Sequence, residues 1–303
     1  MKMEIYSKEG LVEHLSEETA VTVGVFDGVH RGHQQLIRQL KAVGEGQSEA
    51  SLVVTLTAHP SFVLGRRENE YWLDDPDEHL RLLFDAGAKY VAVLPFTREV
   101  AQLSACEMVR RMYDELGMRT LLVGYDSRFG SKENDDFRDL PMFSIELGFT
   151  LQRGHPFNFD SEPISSSRIR QTLLDGRLED TAALLGRNYT VSGKVQHGRG
   201  VGQTLGFPTA NIDIAQTRKM LPREGVYAVR IGDCKGMANL GDAPTFGVDK
   251  PMLEVHLIDY KGDLYGETVT VEFLHRIRDI ERFGSADELQ KQLSKDIEEA
   301  RRW

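Results

Sequence analysis

The chain has 303 residues, 40% of them hydrophobic and 28% charged, with a net charge of −10 and only two cysteines, Cys106 and Cys234. That length exceeds the range over which one core usually keeps growing, so two domains are expected. The acidic balance argues against a broad polyanion-binding surface, and two distant cysteines exclude a disulfide framework or a cysteine-based zinc site. Met1 is followed by Lys2, Glu4 and Lys8 without the apolar core of a signal peptide, and no apolar run approaches the ~20 residues that cross a bilayer. The expected setting is cytoplasmic, with small-molecule partners, no nucleic acid and no membrane, and a monomer as the expected state.

From residue 20 to about 185 strands and helices alternate. AVTVGVF, SLVVTLT, KYVAVLPF and RTLLVG are short β-branched runs bounded by Gly, Pro or Asp. Between them lie QQLIRQLKAV, PDEHLRLLFDAG and SACEMVRRMYDELG, with helical periodicity. Near-continuous apolar strands separated by amphipathic helices predict βαβ units around a buried parallel sheet, a Rossmann-like α/β domain. Two further helices, SSSRIRQTLLDG and LEDTAALLG, each end at a glycine. From about 189 the pattern becomes all-β: YTVSGKVQHG, GVYAVRIG, KGMANLG, MLEVHLIDY and TVTVEFL, closed by the helix DELQKQLSKDIEEARRW. A small antiparallel barrel or sandwich with a terminal helix is expected there, with the domains divided as 1–186 and 187–303.

The first run of chemical interest is GVFDGVHRGH, residues 24–33. Asp27, Gly28 and Val29 are expected to turn out of the first strand, with His33 beginning the next helix. A helix N-terminus offers unpaired N–H groups and partial positive charge, a site for phosphate. Gly24, Gly28 and Gly32 would let backbone approach a ligand. His30 and His33, three apart, can face the same side and donate hydrogen bonds to phosphate oxygens. Half of a zinc site is the other reading, although no further ligands stand at a characteristic spacing.

GVFDGVHRGH resembles the G-x-F-D-G-x-H-x-G-H signature of the nucleotidyltransferase superfamily, in the form found in bacterial bifunctional riboflavin kinase/FAD synthetases. TLTAHP, VGYDSRFG and ISSSRIR are similar to later segments of that family, in the same order. The resemblance implies that Gly24, Phe26, Asp27, Gly28, His30 and His33 meet ATP, the histidines at its phosphates. It implies that Ser166, Ser167 and Arg170 hold the triphosphate near its leaving pyrophosphate. Asp126 and His59 fall at substrate or flavin positions. By themselves, Ser165–Ser167 would also read as a helix cap and Arg170 as a solvated residue. Ser127 and the run SKENDDF depart from the family pattern.

In the all-β half, HGRGVGQTLGFPTANIDI lacks the lysine of a P-loop. Thr209 and Asn211, two apart on an extended segment, point to one face and carry oxygens suited to Mg²⁺. A Pro-Thr turn with a capping Asn is the other reading. GFPTAN resembles the P-T-A-N motif of riboflavin kinases, which implies that Thr209 and Asn211 bind Mg²⁺ and that Gly206, Pro208 and Thr209 meet ATP. LEVHLIDY is similar to the strand carrying the family's general base, which places that role at Glu254. Gln203 stands where a basic residue is common and Ile280 where a Glu is frequent. Gly198, Gly200 and Gly202 mark a candidate lid.

The implied function is a Mg²⁺-dependent enzyme with two activities. One half phosphorylates riboflavin with ATP to FMN, and the other adenylylates FMN with ATP to FAD and pyrophosphate. A riboflavin kinase with an impaired adenylyltransferase domain is the alternative. A binding module without turnover, and a nucleotidyltransferase for another phosphate ester, are the remaining readings.

Overall fold

The computed structural model describes residues 3–58, 60–65, 71–125, 129–130, 137–197, 206–242 and 251–303. The chain divides into two compact units, Met1–Ser165 and Ser166–Trp303. The break precedes the helices Ser166–Leu174 and Leu178–Leu185, which lie before residue 186 in sequence but pack within the second unit.

Among the described residues, the first unit is built on a seven-stranded sheet: β1 (Glu4–Ser7), β2 (Gly10–Val12), β3 (Thr19–Val23), β4 (Ala50–Leu56), β5 (Tyr90–Leu94), β6 (Met118–Val123) and β7 (Thr150–Arg153). Its order is β2-β1-β5-β4-β3-β6-β7, parallel from β5 through β7. The four expected strands form the parallel centre. The β1–β2 hairpin and β7 extend the edges and carry weak sequence signals, being three or four residues long. A two-stranded hairpin, β8 (Asn158–Phe159) and β9 (Glu162–Pro163), follows.

The helices begin and end where short polar residues and glycines direct. Helix α1 spans Arg31–Gln47, α2 Pro76–Ala86, α3 Ala105–Leu116 and α4 Leu140–Leu147. Asp75 with Glu78, and Ser104 with Glu107, form capping boxes at α2 and α3. Pleating sorts the strands between two layers: Leu52 and Val54 join Val21 and the α3 residues Val109 and Met112, whereas Val53 joins Ala20, Ile37, Leu40 and Leu83. Both sheet faces are therefore covered, which is why these strands read as continuous apolar runs.

After β3 the chain steps to β4 and β5 on one side, then returns to place β6 on the other. The crevice beyond the C-terminal ends of β3 and β6 is a topological switch point, the ordinary ligand position in such sheets.

The second unit opens with α5 (Ser166–Leu174) and α6 (Leu178–Leu185), joined by a buried Thr172–Thr181 hydroxyl contact of 2.7 Å. Then come β10 (Tyr189–Gln196), β11 (Ala210–Asp213), β12 (Gly225–Ile231), β13 (Cys234–Asp242), β14 (Pro251–Leu257) and β15 (Thr268–Arg278). They close an antiparallel barrel in the order β10-β11-β14-β13-β12-β15. Its interior holds Val191, Ile212, Tyr227, Val229, Leu240, Leu253, Val255 and Phe273, with Tyr227 edge-on to Phe273 at 5.2 Å.

The terminal helix α7 (Ala286–Arg302) lays Leu293, Ile297 and Ala300 against Val226, Ala228 and Met237 on the outside of the barrel. Asp296, 1% exposed, accepts a bifurcated hydrogen bond from Arg278 Nε, 3.1 Å to each carboxylate oxygen, and one from Nη2 at 2.7 Å. Removing one partner of such a pair strands the other charge. Asp296→Ala is expected to destabilise the second unit by about 3–5 kcal/mol, because it leaves a largely buried guanidinium without its carboxylate. Urea unfolding followed through Trp303 fluorescence, with Trp72 replaced by Phe, checks this.

Candidate functional site: a strained turn and a barrel-wall row

Strand β3 ends at Val23, and residues 24–30 form a tight turn into α1. Three residues at positive φ carry it: Phe26 at 52°, Gly28 at 81° and Val29 at 33°. Glycine takes positive φ without cost, but Phe and β-branched Val do not, and each such residue costs about 1–3 kcal/mol. The strain is held by burial, with Phe26, Asp27, Val29 and His30 all at most 4% exposed.

Helix α1 begins at Arg31, two residues earlier than the spacing suggests, because His30 serves as its N-cap. The backbone N–H of His33 donates to His30 Nδ1 at 3.3 Å. With that nitrogen accepting, the proton of a neutral His30 ring belongs on Nε2. The two imidazoles stack, with centroids 3.6 Å apart and planes 19° apart. Gly32 has a more local role than ligand approach: a Cβ there would lie 3.2 Å from the His30 ring. The Nδ1 edge of His33 is buried and lacks a hydrogen-bond partner among the described residues. Burial first, then the neighbouring charge of His30, holds His33 well below the usual histidine pKa of 6.5. It therefore stands neutral at pH 7.

The turn is gripped by residues distant in sequence. Asp74 Oδ2 accepts from the Gly28 N–H at 3.1 Å and lies 3.0 Å from His79 Nδ1. His79 Nε2 meets the Thr55 hydroxyl at 2.9 Å, and that hydroxyl reaches the Val25 carbonyl at 3.2 Å. Asp27 Oδ1 in turn accepts from the Leu73 N–H at 2.8 Å. Sequence reading missed Asp74, His79 and Thr55. Asp74–Asp75–Pro76 announces only a helix start, and the capping role falls to Asp75.

Ser166, Ser167 and Arg170 stand on the first turn of α5, in the second unit. Arg170 follows Ser166 by four residues and Ser167 by three, so the three share one side of the turn. The Arg170 Nε is buried. His59, Asp126, Ser127, the 131–136 segment, Gln203 and the glycines at 198, 200 and 202 lie outside the described residues.

On the barrel, register assembles the second set. Asn211 on β11 pairs directly with Glu254 on β14, and Glu254 pairs on its other side with Asn239 of β13. Directly opposed residues project to the same face of a sheet. Leu253 and Val255, flanking Glu254, are 1% exposed and fill the interior, so the Asn211–Glu254–Asn239 row lies on the outer wall. Asn211 Oδ1 is buried without a hydrogen-bond partner among the described residues. Gly206, Pro208 and Thr209 lead into β11, and the Pro208 carbonyl is tied to His256 Nδ1 at 2.8 Å. Phe207 stands edge-on to the same imidazole at 5.7 Å. Pro208 and Phe207 are thereby held against His256, two residues along β14 from Glu254.

An orphaned carboxamide oxygen with a hydroxyl two residues away is a donor set that fits Mg²⁺, a hard ion that takes few protein oxygens beside nucleotide phosphates. Among the described residues no cluster of three or more His, Cys, Asp or Glu gathers as a metal site. Nor is any described helix long and apolar enough to cross a membrane.

A family model described as FAD synthetase matches residues 12–168, and one described as riboflavin kinase matches residues 185–303. The bifunctional riboflavin kinase/FMN adenylyltransferase of Escherichia coli K12 is 36% identical over 286 residues, 92% of this chain and 91% of that protein. The protein of the same name from Haemophilus influenzae is 36% identical over 289 residues, 93% of each. A crystal structure from Streptococcus pneumoniae titled macrolide-efflux protein aligns with a TM-score of 0.88 and 32% identity, over 96% of each chain. With both domain types in one chain and full-length relatives at this identity, the chain belongs to the bifunctional riboflavin kinase/FMN adenylyltransferase family.

Proposed function

We propose a division of labour among the named residues for the two activities of this family, riboflavin to FMN and FMN to FAD, each with ATP. The observation that carries the proposal is the register pairing of Asn211 with Glu254, which sets a carboxylate directly beside a buried, unpartnered oxygen. Residues 187–303 are the kinase domain in this reading, and residues 1–186 the adenylyltransferase domain.

In the kinase, Glu254 takes the proton of the ribityl 5′-hydroxyl as that oxygen attacks the γ-phosphorus of ATP, and ADP leaves. Gly206, Pro208 and Thr209 bind ATP, and Thr209 and Asn211 hold Mg²⁺. That ion, when bound, neutralises charge on the phosphate oxygens. In the adenylyltransferase, an FMN phosphate oxygen attacks the α-phosphorus of ATP and pyrophosphate leaves. Gly24, Phe26, Asp27 and Gly28 shape the ATP-facing turn. His30 and His33 donate N–H groups to phosphate oxygens as charge builds, and Ser166, Ser167 and Arg170 hold the triphosphate. Asp126 and His59 serve the flavin or substrate side. No enzyme nucleophile is needed, so catalysis rests on positioning and charge stabilisation. Retention of both histidines and the Ser/Arg group supports two activities over a kinase alone. Two cysteines far apart in sequence suit a reducing cytoplasm, and the net charge of −10 supports a monomer acting on small molecules, without nucleic-acid or membrane partners.

Two outcomes follow. Glu254→Gln is expected to abolish FMN formation from riboflavin while FMN-to-FAD conversion continues. Chromatography of the flavins over time, with ATP and Mg²⁺ in excess, reads both steps, and equal loss of both would sink the separate-site assignment. The second concerns acid stability. His33 is harder to protonate folded than unfolded. Its contribution is therefore intact above about pH 6.5, the unfolded value, and is lost as pH falls towards the lower folded value. His33→Gln should flatten that acid slope in melting temperature, and an unchanged slope would contradict a depressed His33.

A further inference from the structure

We infer that Asp74 and His79 are positioning residues for adenylyl transfer: they clamp the strained Val25–Val29 turn and so keep His30 and His33 aimed. The inference rests on the reading of those two histidines as phosphate ligands.

The clamp is a chain of short polar contacts. It leaves the turn at the Gly28 N–H, passes through Asp74 Oδ2, His79 and the Thr55 hydroxyl, and returns at the Val25 carbonyl. Thr55, Asp74 and His79 are 2%, 3% and 8% exposed. Both attachments are to backbone of the turn, and between them stand Phe26 at φ 52° and Gly28 at 81°. Without an external hold, a turn containing Phe and Val at positive φ relaxes toward ordinary conformations. The cap at His30 would move with it, since Val29, itself at φ 33°, is the residue before the cap.

A carboxylate is an expensive way merely to fill this space. Asp74 Oδ1 is buried with no hydrogen-bond partner among the described residues. Buried polar pairs can often be replaced by apolar residues of similar shape without loss of stability, so retaining one here suits a need for orientation. Asp74 Oδ2 already accepts from the Gly28 N–H, and a carboxylate oxygen accepts, so His79 Nδ1 is the donor in their contact. That N–H aligns Asp74 on Gly28, whereas the Nε2 side of His79 reaches only Thr55.

This asymmetry gives the test. In the full-length protein with ATP and Mg²⁺, FAD formation from FMN is measured beside riboflavin phosphorylation, which reports on an undisturbed second activity. A side-chain amide in His79→Asn stands near Nδ1 and keeps the donor to Asp74. In His79→Gln the amide stands near Nε2 and loses that donor. The expected result is a kcat for FAD formation lowered about 10- to 100-fold by His79→Gln, with KM for ATP within about 3-fold. His79→Asn should retain kcat within about 3-fold, and kinase kcat should be unchanged in both. Equal loss in the two variants, or a loss confined to KM or melting temperature, would overturn the inference. Should His79→Gln not fold, Asp74→Ala must show the same kcat loss, and an intact kcat would overturn it. His33→Ala run alongside separates the layers. If it leaves FAD synthesis intact, the histidine reading of the site fails and the inference with it. If it abolishes FAD synthesis while His79→Gln does not affect it, the clamp alone is wrong.

Discussion

The constraint on which the first unit depends is the conformation of seven residues, Gly24 to His30. They must end a buried strand, reverse the chain and open a helix with two imidazoles at its start, all within one turn. Unstrained backbone does not do this with Phe and Val at positive φ. The conformation persists because the turn is enclosed and hydrogen-bonded from strand β4, helix α1 and the segment before helix α2. Its place in the sheet, between strands that run to either side, puts the stacked histidines where a crevice opens.

The barrel solves a different problem with less strain. A closed antiparallel wall alternates its side chains inward and outward, and its inner set, with Tyr227 against Phe273, supplies the core. The outer set is then available for chemistry on one part of the wall and for helix α7 on another. The Asn211–Glu254–Asn239 row is a consequence of register alone, since these residues come from three strands and meet only when each strand pairs without slipping. Asp296 and Arg278 tie α7 to β15, fixing the helix against the barrel by a charge pair as well as by Leu293 and Ile297.

In the proposed reading, the two halves reach phosphorus chemistry by distinct physical means. In one, backbone strain and imidazoles are arranged at a helix start. In the other, a carboxylate and an amide oxygen are juxtaposed across a sheet. Neither arrangement needs a nucleophile of the protein in that reading, so precision of placement would carry the chemistry in both.

Much of this was legible in the residues themselves. Four apolar runs and the helices between them announced the parallel sheet, because burial on both faces leaves a continuous apolar signature. The short alternating strands announced the all-β half, and GVFDGVHRGH and GFPTAN marked the turn and the strand lead-in on which the proposed chemistry rests. Edge strands of three or four residues carried too little pattern to be read. The N-cap role of His30 was hidden because histidine is not an ordinary cap, and the part played by Gly32 appears only when the His30 ring lies over it. The links from Thr55 and Asp74 to the turn span 30 and 46 residues of chain, His79 joins the two, and no local periodicity encodes them. Local sequence determined which segments become strands, helices and turns. Tertiary packing and strand register alone decided which distant polar groups meet, because a hydrogen bond between them depends on where the intervening chain is folded and not on its composition.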